Sequence, residues 1–204
     1  IEILEKTYIF AYAWSIGGGI DDMYRDDFDD FMQDTFDSST VISADMPRRG
    51  TVYDNFIDEG EKHQFKQWSS IVPKFKFDAA VPYFQMLVPT ESTVQMSFLL
   101  KKMLCVNKPT FVTGVTGTGK SVLVQTLLTN LQPSPEEGGM GILPTIIGFS
   151  AQTNAAVTQS MIESSLEKKS RTVLGAPVNR KIVVFVDDVN MPTVEEYGAQ
   201  PPVE

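Results

Sequence analysis

Apolar positions recur along this chain at helical spacing in some stretches and as short continuous runs in others, and the change between the two patterns predicts the order of elements. Residues 1–16 place Ile3, Leu4, Tyr8, Ala11 and Trp14 on one helical face, and Gly17-Gly18-Gly19 ends that helix. A second helix follows over 21–37, with Phe28, Phe31, Met32 and Phe36 inward and eight Asp on the solvated side. Those Asp residues do not make an EF-hand, because the loop glycine and the closing Glu are missing. After the loop at Pro47-Arg48-Arg49-Gly50, segments 51–57 and 64–71 read as strands joined through Asp58-Glu59-Gly60-Glu61-Lys62 into a β-hairpin. Trp68 and Phe65 are expected to pack within it.

A short apolar strand at 84–88 closes at Pro89, and Thr90 is placed to cap a helix to about 106 with Val94, Phe98, Leu99 and Met103 inward. From there the pattern alternates: a β-branched run at 110–113, then a helix with Leu123, Leu127, Leu128 and Leu131 on one side. An exposed Pro/Gly/Glu loop occupies 133–141, followed by a buried-type strand at 145–149. Next comes a helix from Thr153 to about 169 with Val157, Met161, Ile162 and Leu166 inward, an interruption at Gly175-Ala176-Pro177, and a strand at 181–188 that ends in two carboxylates. Strand, helix, strand, helix, strand is the order of a parallel sheet flanked by helices, in which ligands bind beyond the carboxyl ends of the strands.

Composition narrows the class. A net charge of −9 over 204 residues and a pI near 4.6 leave no basic face for nucleic acid. No run is apolar and long enough for a membrane span, and no secretory leader pattern appears. The single Cys105 cannot form an internal disulfide, which suits a reducing compartment and a buried structural thiol. His63, the only histidine, has no second ligand-type residue nearby and is expected at the surface. A start at Ile1 and an end at Glu204 in mid-motif suggest an excerpt of a longer protein.

The chemistry concentrates at two strand ends. Gly114-Val115-Thr116-Gly117-Thr118-Gly119-Lys120-Ser121 reads G-x-x-x-x-G-K-S, the Walker A pattern. Its glycines let the backbone curl so that successive N–H groups converge on phosphate oxygens, and the helix that starts here aims its positive end at the same anion. Gly114, Thr116, Gly117, Thr118, Gly119, Lys120 and Ser121 are therefore the candidate ATP-binding residues, with Lys120 facing the terminal phosphates. Ser121 offers a hydroxyl to Mg²⁺. The apolar strand that ends in Asp187-Asp188 is a Walker B pattern, bringing Asp187 to the same ion. Neither the N-K-x-D nor the D-x-x-G motif of GTPases is present. Another P-loop ATPase or a small-molecule P-loop kinase remains the enzyme alternative; the kinase would need a second substrate.

More specific strings then single out one family. Phe185-Val186-Asp187-Asp188-Val189-Asn190-Met191-Pro192 and Glu196-Tyr197-Gly198-Ala199-Gln200-Pro201-Pro202 resemble the third AAA+ module of axonemal dynein heavy chains. So do Leu87-Val88-Pro89-Thr90 and Phe149-Ser150-Ala151-Gln152-Thr153, while Ala13-Trp14-Ser15-Ile16-Gly17-Gly18 is similar to the segment entering that module from the preceding lid. The resemblance implies an α/β P-loop AAA+ core over 83–204, truncated after Walker B, preceded over 1–82 by a helical lid segment with the hairpin. It implies ATP and Mg²⁺ as cofactors, neighbouring AAA+ modules of the same chain as partners with an arginine finger in trans, intermediate and light chains, and microtubules reached through a distant stalk. The expected location is the cytoplasm and cytoskeleton, in the axoneme of a cilium or flagellum. Asp188 falls where active modules carry a catalytic Glu, and its arm is shorter by one C–C bond, ~1.5 Å. The resemblance therefore implies a nucleotide-responsive regulatory site with slow hydrolysis. It also implies that a fourth core strand separates the strand at 110–113 from that at 181–187.

Overall fold

The computed structural model describes residues 2–37, 46–58, 60, 63–79, 82–83 and 86–203. Residues 59, 61 and 62 of the expected hairpin turn, and residues 84 and 85 of the expected strand at 84–88, lie outside them. The chain forms two compact units, one built from 1–77 and 88–99, the other from 78–87 and 100–204.

In the first unit, α1 (Glu2–Ser15) and α2 (Arg25–Asp37) close a core of Ile9, Ala13, Met32, Phe36, Met46, Val52 and Tyr53. The buried stripe of α1 is the expected one only in part: Trp14 packs against this core. Leu4 and Tyr8 are 72% and 51% exposed and Ala11 is exposed, whereas Lys6, Ile9 and Ala13 are buried. Residues 8–14 are apolar almost all round, so periodicity alone selected only part of the stripe and packing against α2 selected the rest. On α2, Phe31 also lies outward, while Asp29 turns in and accepts the Val52 N–H at 2.6 Å. Burial raises the Asp29 carboxyl above its ordinary range, against the lowering effect of that bond.

Gly17 begins a turn of 3-10 helix after α1 and is buried beneath Tyr53, whose hydroxyl donates to the Gly17 carbonyl at 3.0 Å. A Cβ there would stand 2.2 Å from the Tyr53 oxygen, so no larger residue fits without moving the ring. The segments read as long strands are shorter. Thr51 and Asp54 form a capping box around a 3-10 turn, leaving β1 (Asn55–Ile57) to pair antiparallel with β2 (Phe65–Gln67), after which Trp68–Ile71 turns again. Trp68 is the anchor: it is buried, stacks on Phe56 at 4.8 Å and donates its indole N–H to the Tyr53 carbonyl.

α3 (Glu91–Cys105) is capped as expected, with Thr90 Oγ1 accepting from the Thr93 N–H and Thr93 Oγ1 accepting from the Thr90 N–H. Met103, expected inward, is 38% exposed, and Cys105, expected to be buried, is exposed at the helix end. The helix stops there because Asn107 takes a left-handed φ of 54° and the Lys108 N–H returns to the Met103 carbonyl.

The second unit is a parallel pair, β3 (Ile142–Gly148) and β6 (Lys181–Asp187), in register from Ile142↔Lys181 to Gly148↔Asp187. α4 (Lys120–Asn130) packs on it through Leu123, Val124, Leu127 and Leu128, with Leu131 and Ile142 completing the core. Between the strands lie α5 (Ala155–Ser164), whose cap is the Asn154 side chain on the Val157 N–H, and a hairpin of β4 (Glu167–Lys168) and β5 (Leu174–Gly175). The expected helix to 169 therefore ends five residues early, and Val157 and Met161 on its expected inner side are 39% and 42% exposed. The run at 110–113, expected as a strand, takes no regular structure and joins no ladder among the described residues, and Phe111 is 76% exposed. The described part of this unit is a small parallel sheet with helices against it, an incomplete α/β core.

Candidate functional site

The loop that enters α4 and the end of β6 bring the Walker residues together. Gly114, Gly117 and Gly119 take φ of 152°, 84° and 83°, so the loop curls through conformations that side chains rarely adopt. No atom lies within 4 Å of where a Cβ of Gly117 or Gly119 would be, which leaves open space over the loop. Gly119 is the N-cap of α4, and its carbonyl accepts from the Leu123 N–H, so the N–H groups of the first turn before Leu123 have no partner within the helix. Thr118 braces the curl by donating to the Val115 carbonyl at 2.9 Å, while Thr116 stands exposed on the crown.

Lys120 is folded back on the loop. Its ammonium donates to the Gly114 carbonyl at 2.9 Å and to that of Val115 at 2.7 Å. The charge is thus held at the loop mouth by dipoles that an incoming phosphate would replace with full negative charge.

Ser121 and Asp187, 66 residues apart, meet directly: the Ser121 hydroxyl donates to Asp187 Oδ1 at 2.9 Å. Asp187 is fixed from two further sides, since its carbonyl accepts the Phe149 N–H and its Oδ1 also accepts the Asp188 N–H at 3.1 Å. Adjacent ligands of an octahedral Mg²⁺ at 2.0–2.1 Å stand about 2.9 Å apart, so this hydroxyl and carboxylate match such an ion in chemistry and spacing. Among the described residues no group of three or more His, Cys, Asp and Glu gathers to make an all-protein metal cage. A Mg²⁺ site completed by phosphate oxygens and water needs none.

Asp188 stands apart from this pair. It is exposed, its carboxylate accepts no hydrogen bond among the described residues, and its φ is 54°. Its carbonyl accepts the Met191 N–H at 2.9 Å and starts the turn that carries Asn190-Met191-Pro192 away. One link was not legible beforehand: Thr193 donates to the Ala151 carbonyl at 2.8 Å and so ties the loop after β6 to the loop after β3. No side-chain pattern signals a bond to a loop carbonyl.

The comparisons with known proteins agree with this geometry. The family described as "P-loop containing dynein motor region" matches residues 75–204, and "Dynein heavy chain AAA lid domain" matches residues 1–70. The chain is 44% identical over 202 residues to human "Dynein axonemal heavy chain 6", covering 99% of this chain and 5% of that protein. It is 34% identical to human "Dynein axonemal heavy chain 9" over 98% of this chain and 4% of that protein. It is also 34% identical to mouse "Dynein axonemal heavy chain 1", over 100% of this chain and 5% of that protein. The chain spans about a twentieth of the length of these relatives. With a dynein motor P-loop over one part and a dynein lid over the other, the chain belongs to the dynein heavy chain family.

Proposed function

We propose that this chain is the stretch of an axonemal dynein heavy chain that ends the second AAA+ module and begins the third, with a lid segment over 1–82 and an ATP-binding core over 83–204. In this reading the site holds Mg-ATP and turns it over slowly, so that it reports nucleotide state to the ring more than it drives the stroke. Gly114, Thr116, Gly117, Thr118, Gly119 and Lys120 hold the phosphates, Ser121 and Asp187 serve the metal, and Asp188 is the group nearest the role of water-polarising base. Magnesium, when bound, supplies charge neutralisation at the terminal phosphates. The neighbouring modules of the same chain supply an arginine finger in trans. Intermediate and light chains, and microtubules reached through a distant stalk, are the partners of the whole motor, whose place is the cytoskeleton of the ciliary axoneme. No helix among the described residues is long and apolar enough to cross a membrane.

The observation that carries this reading is the Ser121–Asp187 contact beside an open glycine loop, with Asp188 left unsupported on a left-handed turn. The test is single-turnover hydrolysis at this site in the full heavy chain, with the Walker A lysines of the other modules replaced. The expected result is bound nucleotide that is hydrolysed slowly. Rapid turnover would make this an ordinary ATPase module, and no binding would remove the nucleotide altogether.

A further inference from the structure

Within the first unit, away from the phosphate loop, a cavity of about 580 Å³ is lined by Lys6, Arg48, Arg49 and Lys66 and by no acidic residue. In a chain of net charge −9 this concentrates positive charge where the overall balance opposes it. Gln64, Phe65, Lys66 and Gln67 line the cavity in unbroken succession. Side chains of a strand alternate between faces, so consecutive residues share one cavity only where it runs along the strand's edge. β2 is such an edge, because among the described residues it pairs with β1 alone. The bond from the Asp58 N–H to the Gln64 carbonyl sets the phase of that ladder, so the main-chain groups of Phe65 and Gln67 turn away from β1. Ser70 Oγ occupies the Gln67 carbonyl, leaving the Phe65 carbonyl and both N–H groups for another strand.

We infer that this edge takes up an extended acidic peptide segment, which adds a strand to β2 while Arg49 meets its carboxylates. Strand addition supplies main-chain affinity, and guanidinium groups supply the bidentate recognition that fits a carboxylate. Lys66 is already drawn to Asp58, whose carboxyl it holds below the usual range, and Lys6 and Arg48 each have a contact of their own. Arg49 has no carboxylate partner among the described residues, so it is the residue to change. A lysine on an exposed edge also discourages unselective pairing. Lys66, held by Asp58, therefore guards the edge, and the preference for acidic strands falls to Arg49.

The probe is an end-blocked ten-residue peptide of alternating Glu and Thr, added to the full heavy chain at low salt. Comparison arms are its Gln/Thr counterpart, a version with Pro at alternate positions, and tripolyphosphate. The expected results are binding of the Glu peptide and loss of at least about tenfold in affinity with Gln for Glu or with Arg49→Glu, a charge-assisted contact being at stake. Pro should weaken binding too, and amide exchange across 65–67 should slow on binding. Arg49→Gln, which keeps a polar side chain but removes the guanidinium and its charge, should lose affinity in the same direction and guards against misfolding. Absence of binding, equal binding of the Gln peptide, or an unaffected Arg49→Glu would overturn the inference. So would tripolyphosphate displacing the peptide while exchange at 65–67 stays unchanged, which would leave a simple anion site and no added strand.

Discussion

Lys120→Ala should weaken Mg-ATP binding at this site by about tenfold. A hydrogen bond to a charged group contributes ~1.5–3 kcal/mol, and 1.4 kcal/mol is a factor of ten in affinity. The low end applies because the ammonium does not start free. It gives up two carbonyl contacts, to Gly114 and Val115, before it reaches a phosphate, so only the difference between dipole and full charge is gained. The measurement is a titration with labelled ATP of the full chain, the other modules' lysines being replaced. A melting curve of the same variant separates lost affinity from a loosened loop. Equal affinity of the parent and Ala forms would remove the phosphate-binding assignment.

Asp188→Glu should raise turnover at this site by roughly ten- to a hundredfold with little change in nucleotide affinity, since a ~1 Å misplacement can cost about 100-fold in rate. Affinity rests on the loop amides, Lys120 and the metal, whereas rate depends on where a water is held. The backbone limits the gain. At φ 54° Asp and Asn are tolerated, while a longer side chain pays part of the ~1–2 kcal/mol left-handed penalty. Asp188→Asn is the complementary variant, keeping shape and backbone preference while removing the charge, and it should abolish the residual rate without loosening nucleotide. The turn is closed by the backbone carbonyl of Asp188 and not by its carboxylate, so neither variant removes a cap. If the parent already hydrolyses as fast as the Glu form, the regulatory reading loses its support.

The P-loop, its helix and the strand ending in Asp187 were legible because each obeys a local rule: glycines where φ is positive, leucines at helical spacing, and an apolar run before a carboxylate. Thr90 at the start of α3 was legible for the same reason. The elements misread are those decided by partners distant in sequence. α1 is apolar on nearly every side, so only the contacts with Met32, Phe36 and Tyr53 choose its buried stripe. The segment 165–175 carried no turn signal until Gly175, yet it folds back as a hairpin because Asn154 and Ser165 bound a short helix. At the site itself, spacing proposed that Ser121 and Asp187 share an ion, but the packing of α4 on β3 and β6 is what brings their oxygens together.

The loop at 133–141 has a consequence for degradation. Its Pro, Gly and Glu content is that of a cleavable connector, and its side chains are largely exposed. Its backbone is nonetheless closed on itself. Ser134 and Glu137 cap each other, the Gly141 N–H reaches the Pro133 carbonyl, and those of Met140 and Ile142 both return to Leu131. A Cβ on Gly139 would lie 2.0 Å from the Pro133 oxygen, so the two ends of the loop are in close contact. A protease must draw its substrate out extended, so cleavage here waits on opening of the core around Leu131 and Ile142. A glutamate-specific endoprotease should therefore spare Glu136 and Glu137 in the folded chain and cut there only after unfolding, so that scission at these sites reports the opening of the nucleotide-binding unit.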